Sequence, residues 1–503
     1  MKGAGTGKTT TVVKYAEALV RKGHKKIAYL TFNNTAAKDA GSKFSPRYVD
    51  ARTMHSAAFT LVETSGDRNL LDDHEVDKLI MERYSDEIDD FLSYLPTTTP
   101  KQNSLKKDIF RRVVFFIRKT LSTFLQRKIS LKHWQAQERW SVFYPAKLFH
   151  DKNEYGCRFS MEYREFYVSI AKKLFLLFSD NTTTFSTFDT VMKEAQLSAL
   201  QLPYSAILVD ESQDLNACQI DWMAAQKKLY NTHLFLVGDP AQSIYGFRGA
   251  KSHLLLQLSA CEDKFLTTTH RFCPRIANIA NTILFCKEYS PQTINDKYNK
   301  TWTPYRLKGG SSVRGEVTSQ SLLEPLMMRA AARSSTVVQS PPITVLAFTN
   351  LELLEICIEN LFSVDNESSA LNTPLRIAIN GDGEASGKGA WRKVQNEIKN
   401  FYDVFCETST KLPYHPWKAN DNQTVTWESV QRDIENLDLT AYSKTVSIIN
   451  KYGVKTLEIF ERFKRNILEP AYCATDTNVD VVLSTIHGAK GMEWDNVQLF
   501  ASS

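Results

Sequence analysis

The chain has 503 residues, of which 43% are hydrophobic and 23% are charged, and its formal net charge is +6. This composition is that of an ordinary globular protein, and the length predicts roughly three or four domains or subdomains. Apolar runs fall short of the ~20 residues of a membrane span, and the start does not read as a signal peptide. Because the net charge is small, any nucleic-acid site has to be a local basic patch.

The eight cysteines include no C-x-x-C pair, which argues against both a zinc site and a disulfide framework. Reduced and mostly buried thiols are typical of a protein inside the cell. We therefore expect an intracellular protein, nuclear in a eukaryote and cytoplasmic otherwise.

A glycine-rich loop opens the chain. Residues 3–10 read GAGTGKTT, and the last two positions of the phosphate-loop pattern G-x-x-x-x-G-K-[ST] are Lys8 and Thr9. In such a loop backbone N–H groups cradle phosphates, the lysine reaches the β and γ groups, and the hydroxyl binds Mg²⁺. Lys2 stands at the first position, which is usually Gly or Ala, and no strand precedes it. A flexible glycine-rich terminus is the alternative interpretation, and we expect the true N-terminal segment to be absent.

Helix and strand patterns follow the loop. Apolar residues at helical spacing predict a helix over residues 10–21, and residues 27–31 predict a strand. Residues 62–195 read as largely helical, with Leu121 and Phe124 expected in a core. The stretch 101–132 is rich in basic residues, which form either a face over DNA phosphates or a solvated helix face, with equal weight. These basic residues are Lys106, Lys107, Arg111, Arg112, Arg118, Lys119, Arg127 and Lys128.

Two short apolar runs further along the chain end in acidic residues. Residues 207–209 lead into Asp210-Glu211, and residues 234–237 lead into Gly238-Asp239. Such runs predict buried strands of a parallel sheet, and α/β folds bind ligands at the carboxyl ends of these strands. A lone Asp-Glu pair often only caps the next helix. With a phosphate loop in the same chain, Asp210 is suitably placed to bind Mg²⁺.

ILVDESQD at residues 207–214 and VGDPAQSIYGFRGA at residues 237–250 resemble the second and third helicase motifs of the UvrD/Rep family, superfamily one. This combination is more specific than a phosphate loop alone. TFNNTAAKDA, ARTMHSAAF and TFDTVMKEAQLSALQLP together resemble the F-box DNA helicase branch more than bacterial UvrD. No F-box precedes the core in this chain.

Three later runs also resemble motifs of the family. FLTTTHRF resembles the fourth motif, with His270 in place of the common adenine-stacking Tyr. ITVLAFTN resembles a strand of the second motor domain, with Phe348 where the family usually has Arg. VVLSTIHGAKGMEWDNVQLF resembles the fifth motif. The upstream adenine-reading Gln and the sixth motif with its arginine finger have no counterpart, so we expect truncation at both ends.

The resemblance implies nucleotide, catalytic, metal and DNA sites. The implied nucleotide-binding residues are Gly3, Ala4, Gly5, Thr6, Gly7, Lys8, Thr9, Thr10, His270, Arg271, Gly491 and Glu493. The implied catalytic residues are Lys8, Glu211, Gln242 and Arg271, and the implied metal ligands are Thr9 and Asp210. The implied DNA contacts are Phe32, Asn34, Thr53, His55, Tyr245, Phe247, Arg248, Thr485 and His487. Glu211 would deprotonate the attacking water and Gln242 would sense the γ-phosphate.

The expected fold is α/β, with two RecA-like P-loop NTPase lobes of parallel sheet that each carry a mainly helical inserted subdomain. The expected segments are 1–61 and 196–275 for the first lobe, 62–195 for its insertion, 276–390 and 476–503 for an incomplete second lobe, and 391–475 for the second insertion.

The resemblance implies an ATP- and Mg²⁺-dependent DNA helicase or translocase that moves 3′-to-5′ on single-stranded DNA and unwinds tailed duplexes, in repair or recombination and without a membrane. Two alternatives stay open. One is a superfamily-one RNA helicase, against which the QSIYGFRGA loop argues. The other is a remnant that binds DNA but turns over ATP poorly, which the expected truncation favours.

Overall fold

The computed structural model divides the chain into two compact units, Met1–Val317 and Thr318–Ser503. It describes residues 7–31, 34–62, 68–95, 100–134, 158–180, 182–244, 246, 249–251, 266, 268–288, 308, 341–361, 375–380, 388–414, 417, 424–437, 439–470, 472, 474, 479–490 and 492–499. None of the helices in these ranges is long and apolar enough to cross a membrane.

The first unit combines a parallel sheet with helices on both faces. Its helices and strands are α1 (Lys8–Arg21), β1 (Ile27–Thr31), α2 (Asn34–Gly41), β2 (Val49–Thr53), α3 (Met54–Phe59), β3 (Asn69–Leu70), α4 (Asp73–Phe91), α5 (Pro100–Leu125), α6 (Arg158–Ser179), β4 (Phe185–Ser186), α7 (Phe188–Leu197), β5 (Ala206–Val209), α8 (Ala217–Tyr230), β6 (His233–Leu236) and α9 (Pro274–Glu288). The main sheet has the strand order β2-β1-β5-β6, and all of its pairings are parallel.

The two central strands of this sheet, β1 and β5, are buried along their whole length. Alternate side chains point to opposite faces of a strand. Tyr29 and Leu208 therefore pack with α1 on one face, while Leu30 and Ile207 pack with α3, α7 and α8 on the other. Burial on both faces explains why these strands read as continuous apolar runs in the sequence. The strand predicted over residues 27–31 is confirmed.

Helices α4, α5 and α6 form a separate apolar core in the first unit, and it includes Leu121 and Phe124 as predicted. Three arginines of the basic stretch make contacts within the protein, whereas Lys119 and Lys128 of the same stretch are exposed. Arg111 and Arg112 are 6% and 4% exposed, and Arg118 pairs with Asp73 and Asp77 of α4. Helix α5 packs against both α4 and α6, so these arginines lie inside the helical layer. A DNA-facing or solvated surface is thus wrong for these three residues.

The second unit has its own parallel sheet. Its helices and strands are β7 (Ile343–Ala347), α10 (Asn350–Ile356), β8 (Ile377–Ile379), α11 (Lys388–Phe405), α12 (Trp427–Leu437), α13 (Thr440–Tyr452), α14 (Thr456–Phe463), β9 (Val481–Thr485) and β10 (Asn496–Leu499). The strand order is β10-β7-β9-β8, again with parallel pairings only. The predicted α/β class with two parallel sheets is confirmed, whereas the boundaries of the inserted subdomains stay a prediction.

Two large apolar cores lie in the described part of the second unit, beside a smaller apolar cluster. Val345 and Leu483 of the sheet pack with Leu353 and Phe463 in one of them. Aromatic residues of α11 and α13, including Phe401 and Tyr442, build the other with Trp417. Helix α9 lies in the first unit and packs near Ala241, and the boundary expected between the two lobes after residue 275 stays a prediction.

Candidate active site

The amino terminus of α1 is shaped to receive an anion. Gly7 precedes the helix with φ 75° and ψ 35°, a left-handed conformation that glycine adopts without steric cost. Thr11 donates from its backbone N–H and its hydroxyl to the carbonyl of Gly7, at 3.0 and 2.9 Å. No side chain in the described residues caps this end. The first N–H groups of a helix lack intrahelical partners, so they are available to a phosphate.

Lys8 stands in the first turn of α1 with a mostly buried side chain, 12% exposed. Its Nζ lies 3.6 Å from a carboxylate oxygen of Glu211. The same Nζ makes no hydrogen bond with any residue that the structure describes. A buried ammonium group needs hydrogen-bond acceptors. Phosphate oxygens at this helix end would supply them, so the residues present fit a nucleotide.

Asp210 and Glu211 follow the central strand β5. The Oδ2 of Asp210 accepts a hydrogen bond from the Tyr29 hydroxyl at 2.7 Å, and its Oδ1 accepts one from the Glu211 N–H at 2.8 Å. Burial raises the pKa of Asp210, as does the nearby charge of Glu211, while the Tyr29 hydroxyl opposes that rise. Glu211 has φ 50°, a strained conformation for a non-glycine residue and one that clusters at functional sites.

A chain of polar contacts runs from Glu211 to the loop after β6. The Gln213 side chain donates to Glu211 at 2.5 Å and accepts from the Asp239 N–H at 2.9 Å. The Gln242 side chain donates to Asp239 at 2.5 Å. A Cβ on Gly238 would lie 2.5 Å from the Gln213 Oε1, so only glycine fits there. Gln213, Asp239 and Tyr29 have no role that a sequence motif implies.

The UvrD/REP helicase N-terminal domain profile matches residues 1–262, more than half of the chain. The chain belongs to the UvrD/REP helicase family. This confirms the resemblance inferred from the sequence motifs, and the family is one of ATP-dependent DNA helicases.

Curated relatives of this chain agree with that assignment. The chain is 27% identical to F-box DNA helicase 1 of Gallus gallus over 98% of its own length and 42% of that protein. It is 25% identical to F-box DNA helicase protein 1 of Schizosaccharomyces pombe over 99% of its length and 50% of that protein. The ATP-dependent DNA helicase SRS2 of Saccharomyces cerevisiae is 26% identical over 56% of the chain and 25% of that protein. The chain thus spans half or less of the length of these relatives.

Several of the implied site residues also have contacts within the protein. Thr53 accepts a hydrogen bond from the Ser56 N–H at 3.2 Å and caps α3. His55 lies 3.2 Å from Asp189 through its Nε2. Thr485, at the end of β9, accepts from the Gly488 N–H at 3.0 Å. These contacts hold the side chains in place and leave their DNA-binding roles as predictions.

Other implied residues are exposed or lie outside the described part of the chain. Thr10, His270, Arg271 and Glu493 are exposed, and Thr9 is partly buried. The remaining implied residues, for which the structure describes no side chain, are Gly3, Ala4, Gly5, Thr6, Phe32, Asn34, Tyr245, Phe247, Arg248 and Gly491. Their roles therefore rest on the sequence resemblance.

Proposed function

We propose that this protein is an ATP- and Mg²⁺-dependent DNA helicase or translocase that moves 3′-to-5′ along single-stranded DNA in repair or recombination. The observation that carries the nucleotide part is the Lys8 ammonium. It is buried at an uncapped helix amino terminus, 3.6 Å from the Glu211 carboxylate and without a hydrogen-bond acceptor among the described residues.

The first turn of α1 and Lys8 would bind the phosphates, because N–H dipoles and a positive charge both favour oxyanions there. Thr9 and Asp210 would hold Mg²⁺, which supplies charge neutralisation on the phosphate oxygens when bound. The Glu211 carboxylate would accept the proton of the attacking water. Arg271 would contact the γ-phosphate as the resemblance implies.

The polar contacts beyond Glu211 support coupling between hydrolysis and DNA binding. Gln213 joins Glu211 to Asp239, and Asp239 in turn accepts from Gln242. Gln242 precedes the implied DNA contacts Tyr245, Phe247 and Arg248 by a few residues of the same loop. A change at the γ-phosphate would thus alter the position of a loop that stacks on bases and contacts phosphates.

Substitution at the nucleotide site tests the proposal. We expect Lys8→Ala to lose ATP binding, and Glu211→Gln to keep binding but lose roughly a hundredfold or more in turnover, since a general base contributes 10²–10⁴. Matched controls are Lys14→Ala and Glu17→Gln, whose side chains are exposed on α1. Hydrolysis is measured with and without single-stranded DNA, and unwinding with a 3′-tailed duplex.

Each outcome bears on the proposal. Near-parental hydrolysis by either site variant contradicts the assigned roles. Stimulation of hydrolysis by RNA in place of DNA supports the RNA-helicase alternative. DNA binding by the parent without any hydrolysis supports the alternative of a DNA-binding remnant.

A further inference from the structure

Two aromatic side chains meet at one edge of the sheet in the second unit. Phe348 directly follows β7, and His487 lies two residues beyond the end of β9. These strands are parallel neighbours with Ala347 opposite Thr485, so both segments leave the sheet at its carboxyl edge. The rings of Phe348 and His487 have centroids 5.1 Å apart and an interplanar angle of 67°. Edge-to-face geometry of this kind is favourable for aromatic pairs.

The backbone beneath both rings is fixed by hydrogen bonds. The Glu352 carboxylate accepts from the N–H groups of Phe348 and Thr349, at 2.8 and 3.2 Å, in the capping box of α10. On the other side, the Asn380 side chain donates to the Ser484 hydroxyl at 2.9 Å and to the Gly488 carbonyl at 3.2 Å. The backbone that carries the two rings is therefore held in position before any ligand arrives, which lowers the entropic cost of binding.

Phe348 is a surface residue and is not a member of the core. It is 56% exposed, whereas Ala347 before it is fully buried. Ile486 and Met492, which lie close to His487 in the sequence, are 36% and 47% exposed. A fixed aromatic ring that stays in water forgoes the burial that large apolar groups usually obtain.

The position of the ring at the edge of the sheet is suited to a nucleic-acid ligand. The carboxyl edge of a parallel sheet is where α/β folds bind ligands. Lys490 ends the same short turn that carries His487, and its N–H bonds to the His487 carbonyl at 3.3 Å. Bases of single-stranded nucleic acid stack on exposed aromatic side chains, and His487 beside the Phe348 ring is itself an implied DNA contact.

We propose that Phe348, braced by His487, is a base-stacking site for single-stranded DNA on the second unit. The inference rests on the proposed function, because it requires that the protein binds single-stranded DNA. It adds a base contact that none of the sequence motifs assigned. The face of the Phe348 ring would lie against one base.

The test compares two strands of equal length and charge, one of thymidines and one that is abasic throughout. Affinities are measured by fluorescence anisotropy with the full chain and with the variants Phe348→Ala, Phe348→Leu and Phe348→Trp. We expect Ala and Leu to weaken binding of the thymidine strand roughly 5- to 150-fold, the usual worth of one stacked base. We expect Trp to bind at least as tightly as the parent, and all four proteins to bind the abasic strand alike.

Val454→Ala serves as a control, because Val454 is a 72% exposed apolar residue of the same unit that lies away from the strands. Thermal unfolding confirms that each variant is folded. Parental affinity in Phe348→Leu overturns the inference, as does an equal loss on both strands. A loss of self-association without a loss of DNA binding also overturns it, since the ring would then contact protein. A parent that binds no single strand refutes the proposed function itself, and the inference with it.

Discussion

Tyr29 lies in the middle of the central strand β1, and its hydroxyl reaches the end of the neighbouring strand. There it donates to Asp210 at 2.7 Å across 181 residues of sequence. Only 2% of Tyr29 is exposed, and its ring packs against Phe44 with centroids 5.1 Å apart. The residue therefore has two separable roles, since its ring fills the core and its hydroxyl orients a carboxylate that is proposed to hold Mg²⁺.

Tyr29→Phe separates these roles, because it keeps the ring and removes the hydroxyl. A hydrogen bond to a charged group is worth about 1.5–3 kcal/mol, so we expect the Mg²⁺ concentration for half-maximal nucleotide binding to rise roughly 10- to 150-fold. Titration of Mg²⁺ against a fluorescent ATP analogue measures it. Tyr15→Phe is the control, because its hydroxyl contacts His233 at 2.6 Å and has no part in the site. An unchanged titration in Tyr29→Phe contradicts the orienting role.

At the scale of whole elements, a buried lysine joins the end of α5 to α7. Lys193 of α7 donates through its Nζ to the carbonyls of Arg127 and Ile129, at 2.6 and 2.7 Å, and to the Gln196 side chain at 2.8 Å. The Nζ also lies 4.5 Å from the centre of the Phe124 ring. The carbonyls just beyond α5 therefore obtain their donor from a different helix. Burial lowers the pKa of Lys193 to about 8.

Lys193→Met removes this donor, and we expect a loss of about 1–3 kcal/mol in unfolding free energy at pH 7, the cost of unsatisfied buried carbonyls. The pKa of Lys193 is lower in the folded protein than in the unfolded chain. Between pH 8 and 10.5 the unfolded chain therefore binds more protons than the folded protein, and the unfolding free energy rises with pH. This rise amounts to about 2 kcal/mol by pH 9.5 in the parent and is absent in the variant. Urea unfolding between pH 7 and 9.5 measures both effects.

Lys228→Met is the matched control for this element, because Lys228 is exposed on α8. It should leave both the unfolding free energy and its pH dependence close to those of the parent. A parental pH dependence in Lys193→Met would mean that Lys193 does not titrate in this window.

For the molecule as a whole, a net charge of +6 over 503 residues supplies little attraction at a distance. DNA affinity then depends on a few local phosphate contacts, each of which releases counterions when it forms. The burial of Arg111 and Arg112 and the ion pairs of Arg118 remove part of the most basic stretch from this role.

We therefore predict that the logarithm of single-strand affinity falls linearly with the logarithm of salt concentration. Arg248→Ala should lower the slope by about 0.7, the value of one phosphate contact on a single strand. Phe348→Ala should weaken binding and leave the slope unchanged, because it removes no charge. Anisotropy titrations in increasing KCl measure both slopes. Equal slopes for the parent and Arg248→Ala would contradict a phosphate contact at Arg248.

The sequence alone was sufficient for features that depend on neighbouring residues. The phosphate loop at Lys8, the strand Ile27–Thr31 and the acidic pair at Asp210 all appear as local patterns. Each of these features is formed by residues that lie within about ten positions of one another in the sequence. For this reason the family and the parallel α/β class were predictable, while the position of the nucleotide site stays a prediction.

Tertiary structure alone decided which distant groups meet and which side chains stay in water. The Tyr29–Asp210 hydrogen bond and the Gln213–Asp239 contact join segments that are 181 and 26 residues apart. In the sequence Arg111 looks like any basic helix residue, and its burial follows only from the packing of α5 against α4 and α6. Phe348 looks like any apolar residue, and only the structure shows that its side chain is exposed beyond the end of β7. Burial and pairing depend on how elements pack in three dimensions, and no local pattern records that packing.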